Sequence, residues 1–106
     1  MKRIAANKIL INTQTIFLNA VVEYDEKGVV RRVFELSNCP SEPASTCFYN
    51  GLITTEVAVD QVFVGASIPL LIHRELAVGY DGQLVLWQNI NLSTLKVTSD
   101  TKMTVL

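Results

Sequence analysis

Histidine is nearly missing from this chain: His73 is the only one in 106 residues. A metal centre built from several imidazoles is therefore excluded. Cysteine is scarce as well. Cys39 and Cys47 are the only two, and a structural zinc site needs four ligands. The seven residues between them include Pro40 and Pro43 and leave room for a loop-closing disulfide. Two reduced, partly buried thiols are the expectation for a cytosolic protein. An excess of charge of one sign is missing too. The formal net charge is −1, and Lys2-Arg3 and Arg31-Arg32 are the only adjacent Lys/Arg pairs. Without a basic stripe or a lysine cluster, neither nucleic acid nor an anionic membrane surface is expected as a partner. No apolar run approaches the roughly 18 residues that span a bilayer. The start, Met1-Lys2-Arg3-Ile4-Ala5-Ala6, opens like a signal peptide, but Asn7 and Lys8 interrupt it and no apolar segment follows. A cytoplasmic location is expected. No Gly-x-Ser-x-Gly elbow and no phosphate-binding glycine loop is present.

What the chain has in abundance is β-forming residues. The hydrophobic share is 49%, which argues for a packed core and against disorder. The length suits one domain. Residues 8–11 and 15–24 read as strands. Asp25-Glu26-Lys27-Gly28 reads as a hairpin turn, with Gly28 free to take a positive φ. Residues 29–36 return, with Val29, Arg31, Val33 and Glu35 on one face and Val30, Arg32, Phe34 and Leu36 on the other. Residues 37–45 form a proline-punctuated loop, and 46–55 a strand broken near Asn50-Gly51. Residues 56–64 alternate as a strand would, with Val57, Val59 and Phe63 on one side. Residues 68–77 suit a short helix or a strand, with Pro69 at the start of either. Residues 79–82 read as a turn, 84–88 as a short strand, 89–93 as a polar loop and 94–106 as β to the end. The expectation is an all-β fold, a compact β-sandwich of about seven to nine short strands.

Two stretches carry a resemblance. Asn50-Gly51-Leu52-Ile53-Thr54-Thr55-Glu56-Val57-Ala58 is similar to the Pro-Gly-Leu-Ile-Asp-x-His-x-His junction of the amidohydrolase superfamily of metal-dependent hydrolases. Gly79-Tyr80-Asp81-Gly82-Gln83-Leu84-Val85-Leu86-Trp87 resembles that family's C-terminal Gly-x-Asp-Ala-Asp-Leu-Val-Leu-Trp. In the family these two ends pair in space as a small β-sandwich, the composite domain, and a catalytic (β/α)₈ barrel of about 250 residues is inserted between them. The resemblance implies that residues 1–53 correspond to the N-terminal part and 79–106 to the C-terminal part. Residues 54–78 would be a connection in place of the barrel. Asn50 stands where the family has proline, Thr54 where it has aspartate, and Gly82-Gln83 where it has Ala-Asp. Glu56 and Ala58 occupy the two positions of the metal-binding histidines, and alanine has no donor atom. The later metal ligands would lie on the barrel.

The chain is accordingly expected not to be an enzyme, with no catalytic residue, no metal and no cofactor. His73, beside Arg74 and Glu75, has no visible orienting partner and reads as a surface residue rather than a general base. Glu56 and Asp60 would share a strand face and suit a weak site for a hard cation, but such carboxylates ordinarily serve as solvated rim charges, as would Glu23, Asp25 and Glu26. Ser67 reads as a loop serine and Trp87 as a core anchor. Tyr24, Tyr49 and Tyr80 fall at strand ends or turns. Losing a barrel would expose an apolar face or edge, so a homo-oligomer, most simply a dimer, or a protein partner is expected. The chain is then a non-catalytic structural or protein-interaction module. The alternative is an accessory piece of a split hydrolase whose barrel is on another chain. A small-molecule binder at the mouth of the sandwich is a third class, supported by fold class alone.

Overall fold

The computed structural model describes residues 1–38 and 46–106. The all-β expectation holds. Six strands form among these residues: β1 (Lys2–Asn12), β2 (Thr15–Tyr24), β3 (Val30–Glu35), β4 (Thr46–Thr55), β5 (Leu84–Gln88) and β6 (Lys102–Val105). They make one mixed sheet in the order β3-β2-β1-β4-β5-β6. Every neighbouring pair is antiparallel except β1 and β4, which run parallel from Arg3↔Thr46 to Ile9↔Ile53. A parallel pair needs a long crossover; here the β2–β3 hairpin and the segment after it supply it. The radius of gyration, 13.1 Å, matches the roughly 13 Å of a compact domain this long.

The sheet has a core on each face. The first contains Ile4, Ala6, Ile9 and Ile11 of β1, Ala20 and Val22 of β2, Ile53 of β4 and Leu84 and Leu86 of β5. The second is built on Leu52, Val85 and Trp87, joined by Ala66, Ile68, Leu71, Leu95 and Val97. Strict alternation along Leu84-Val85-Leu86-Trp87 sends one pair to each core, so this short run is apolar throughout. Trp87 is fully buried. Its indole Nε1 donates to Thr54 Oγ1 at 2.9 Å, and that hydroxyl donates onward to the Thr55 carbonyl.

A single line across β2, β1 and β4 interrupts the alternation of the sheet. On β1 the first-core series runs Ile4, Ala6 and then Ile9, Ile11, so parity switches at Asn7. On β2 it runs Phe17 and then Ala20, Val22, switching at Asn19, whose φ is +46°. Asparagine tolerates this region better than most residues. On β4, at the same level, the register slips between Tyr49 and Leu52. There Gly51 takes φ +151°, and its N–H donates to Asn7 Oδ1 at 2.7 Å. A side chain at Gly51 would meet the Trp87 carbonyl oxygen. The break expected near Asn50-Gly51 is thus a bulge within a continuous strand.

Several local expectations are corrected. β1 begins at Lys2, not at residue 8. The clean two-face alternation expected for residues 29–36 fails. An extra residue between Tyr24↔Val30 and Glu23↔Arg32 forms a bulge, and Val30 and Val33 share the first core. The extra residue is Arg31, whose guanidinium turns back to Asp25 at 2.7 Å. Residues 56–64 are not a strand, because the chain leaves the sheet after Thr55 and Val59–Gln61 forms a 3-10 turn. Residues 68–77 are neither helix nor strand. Ile68–Leu70 is a second 3-10 turn, and the rest is an irregular strap. Residues 94–101 hold on through isolated contacts such as Ser67↔Lys96. These departures reduce the expected seven to nine strands to six among the described residues.

The turn at Asp25 is as expected, with Gly28 at φ +82°. Asp25 Oδ1 accepts the N–H groups of Lys27 and Val29. Glu23 departs from the rim role: its residue is buried, and its carboxylate lies 2.7 Å from Arg3 and 3.5 Å from Arg32.

Candidate functional site

The residues where metal ligands would stand lie just beyond the end of β4. Thr54 and Thr55 are fully buried. Thr55 Oγ1 donates to the Arg74 carbonyl at 2.8 Å, which ties β4 to the strap of residues 73–83. Two further contacts hold that strap to the sheet. The Leu76 N–H donates to the Ile11 carbonyl, and Val30 exchanges backbone bonds with Gly79 and Tyr80.

Tyr80 is the centre of this corner. Its ring is buried in the first core. Its hydroxyl accepts the Glu56 N–H at 3.0 Å and donates to the Gln83 carbonyl. Burial is the main reason its phenol is pushed above its ordinary value; the Glu56 amide works in the opposite direction. Arg74 lies over the ring, 4.7 Å from its centroid. The same guanidinium reaches Asp81 Oδ1 at 3.1 Å and Glu56 Oε1 at 3.8 Å. An arginine between two carboxylates offsets one of their two negative charges and holds the position a cation would take between them. A groove of about 580 Å³ beside this corner is lined by Glu56, Asp81, Gly82, Tyr24 and Leu106. Glu56 and Asp81 are thus already engaged.

The other sequence candidates are scattered. The common strand face expected for Glu56 and Asp60 does not exist, since Asp60 sits in the Val59–Gln61 turn. Ala58 immediately precedes that turn and offers no donor. His73 is exposed on the strap, in a shallow hollow with Asn12, Thr13 and Glu75. Among the described residues, no three His, Cys, Asp or Glu side chains come together as a metal site. Ser67 pairs with Lys96 as an isolated bridge, and Trp87 is the core anchor expected of it. Cys47 is a free thiol but an exposed one, not the partly buried thiol expected. Its hydrogen bond to Tyr49 is the main cause that raises the Tyr49 phenol above its usual value. Cys39 lies outside the described residues, as does most of the proline loop. A second groove of about 500 Å³, between Asn50, Gln88, Asn89, Leu92 and Lys102, contains amides and one amine but no nucleophile paired with a base.

The surface feature that strand logic missed is a cap. Val57 and Ile72 pair as an antiparallel bridge, so residues 57–72 form a closed loop whose ends meet, in the manner of an Ω-loop. Its inward side chains, Val62, Ala66, Ile68, Leu71 and Ile72, cover the second core. The strap beyond it and the β2–β3 side of the sheet close the first. Backbone bonds from Gly65 to Val97, from Val97 to Ala66 and from Ile68 to Leu95 fasten the cap. Its outward side chains are also apolar: Val59, Phe63, Val64 and Leu70 are 67%, 64%, 66% and 78% exposed. Alternation put Val57, Val59 and Phe63 on one side, whereas the turns leave Val57 half-buried against the second core and turn the other two outward. The available signal was composition. Residues 58–72 contain a single charged residue, Asp60.

No protein-family model, curated protein or solved structure gives a significant match to this chain. Among the described residues, no helix is long and apolar enough to cross a membrane.

Proposed function

We propose that this protein is a non-catalytic protein-interaction module of the composite-domain kind, working through the outer surface of the cap. The observation that carries the reading is the group of Val59, Phe63, Val64 and Leu70 on a loop whose inner side is already satisfied. Soluble monomers seldom group large apolar side chains on the surface without an interaction to serve. The cap occupies the place in the chain where the amidohydrolase resemblance puts a barrel. The antiparallel register Leu52↔Trp87 to Thr55↔Leu84 brings the two resembling segments together, which supports the composite-domain reading. The position of Ala58 and the Arg74 clasp on Glu56 support a module without metal chemistry.

The test is light scattering on metal-free protein and again with excess zinc, alongside a zinc-uptake measurement. Association without zinc, abolished by Phe63→Asp, is the expected result. Stoichiometric zinc uptake would overturn the reading and reopen hydrolase chemistry.

A further inference from the structure

The cap's outer surface carries more information than its apolarity. We infer that its partner is a second copy of this chain, docked about a two-fold axis, with Asp60 of each copy facing Lys96 of the other. This rests on the interaction-module reading and names its partner.

Charge placement is the argument. Asp60 lies on the cap's first turn, three residues before Phe63. Lys96 is carried to the cap by its bridge to Ser67. Both are exposed, and neither belongs to an ion pair among the described residues. One anion and one cation therefore accompany the exposed apolar side chains, with Gln61 the exposed uncharged polar side chain of the cap. A two-fold axis through such a surface brings each charge opposite its counterpart, twice over, with no new residue required. That is the self-complementarity an isologous contact needs, and it opposes dissimilar dockings in which like charges meet.

Packing points the same way. An interface is dominated by a few aromatic or large apolar anchors near its centre, ringed by polar groups that exclude water. Phe63 supplies the aromatic anchor, and Val59, Val64 and Leu70 are the other large apolar side chains exposed on the cap. The backbone bonds that fasten the cap hold these side chains on a fixed scaffold, so little ordering is lost on docking. Edge pairing of strands is the other route to self-association. The terminal strands discourage it: β6 is only four residues long and begins with Lys102, and β3 carries Arg31 and Arg32.

The experiment measures sedimentation equilibrium of the whole chain from micromolar to millimolar concentration. Wild type is expected to dimerise, and Phe63→Asp to be monomeric with the Trp87 fluorescence of the folded state. Leu70→Asp replaces it if the first variant fails to fold. Asp60→Lys and Lys96→Asp should each weaken their own homodimer by about tenfold or more, because each creates two like-charge contacts. Mixing those two variants should restore wild-type affinity, since both contacts in the mixed dimer are again between opposite charges. A wild type that stays monomeric throughout overturns the self-interface but leaves the module reading to other partners. A dimer indifferent to both apolar substitutions overturns the location. Loss of the dimer with no recovery on mixing overturns the Asp60–Lys96 register. Stoichiometric zinc uptake would instead overturn the underlying reading.

Discussion

Replacing Gly51 by alanine is the sharpest test of how this sheet is held. An added Cβ would overlap the Trp87 carbonyl oxygen and lie 3.3 Å from its carbonyl carbon. That neighbour is backbone, so no rotamer change relieves it. Trp87 is itself held by pairing to Leu52 and Met103 and by the indole bond to Thr54. The backbone at φ +151° adds about 1–3 kcal/mol of strain for a residue with a side chain. Forcing β5 outward against a filled core adds about 1–3 kcal/mol more. Together these imply a loss of about 4 kcal/mol, a large fraction of the roughly 5–15 kcal/mol that holds a domain folded. Near 100 residues each kcal/mol moves Tm by about 4–5 °C, so a fall of about 15–20 °C is expected. Trp87, the only tryptophan, reports unfolding in a thermal or urea titration. Gly28→Ala is the control: φ is +82° but nothing lies within 4 Å of the added Cβ, so only the left-handed strain of about 1 kcal/mol remains. If Gly51→Ala and Gly28→Ala are equally mild, the close approach of β4 and β5 at Gly51 is not what the geometry says.

Three further substitutions probe the interior and the turns. Thr54→Val keeps the shape but leaves the buried Trp87 N–H without its acceptor. A loss of about 1–3 kcal/mol is expected in urea titration, and an unchanged midpoint would discount that bond. Tyr80→Phe strands the Glu56 N–H and the Gln83 carbonyl, at about 1 kcal/mol near neutral pH. Because burial raises the Tyr80 phenol in the folded state, its contribution is full below the unfolded value near 10 and falls as pH rises toward the folded one. The stability gap between wild type and Tyr80→Phe should narrow above pH 10 or so, and a gap that widens there would refute the assignment. Asp25 is shifted the other way, chiefly by the Val29 amide that donates to it, with Arg31 adding to the effect. Its contribution is present above the unfolded value near 3.9 and is lost as pH falls through the lower folded value. Acid titrations of wild type and Asp25→Asn should converge at low pH, and parallel curves would show that the turn gains nothing from the ionised carboxylate.

Much of this protein was legible in its residues. β-branched density and turn residues determined an all-β fold, and Asp25 to Gly28 determined the hairpin turn, because such signals act through neighbouring residues. The alternation of Leu84 to Trp87 was readable for the same reason, as was the missing donor at Ala58. Other features depended on residues far apart in sequence. The bulge at Arg31 shows only in the pairing of β3 with β2, and the parity switches at Asn7 and Asn19 lie level with Gly51 across the sheet. Residues 56–64 look like a strand because valines alternate there, but the chain leaves the sheet after Thr55. Its valines and phenylalanine then divide between the second core and solvent according to turns that alternation does not encode. The Arg74 clasp joins Glu56, Tyr80 and Asp81 only because the strap folds back over the end of β4. The sequence alone therefore determined the secondary-structure class and the lack of a multi-histidine grip. Tertiary structure decided which apolar side chains were buried and which were left exposed, because burial depends on what packs against a residue and not on its neighbours in the chain.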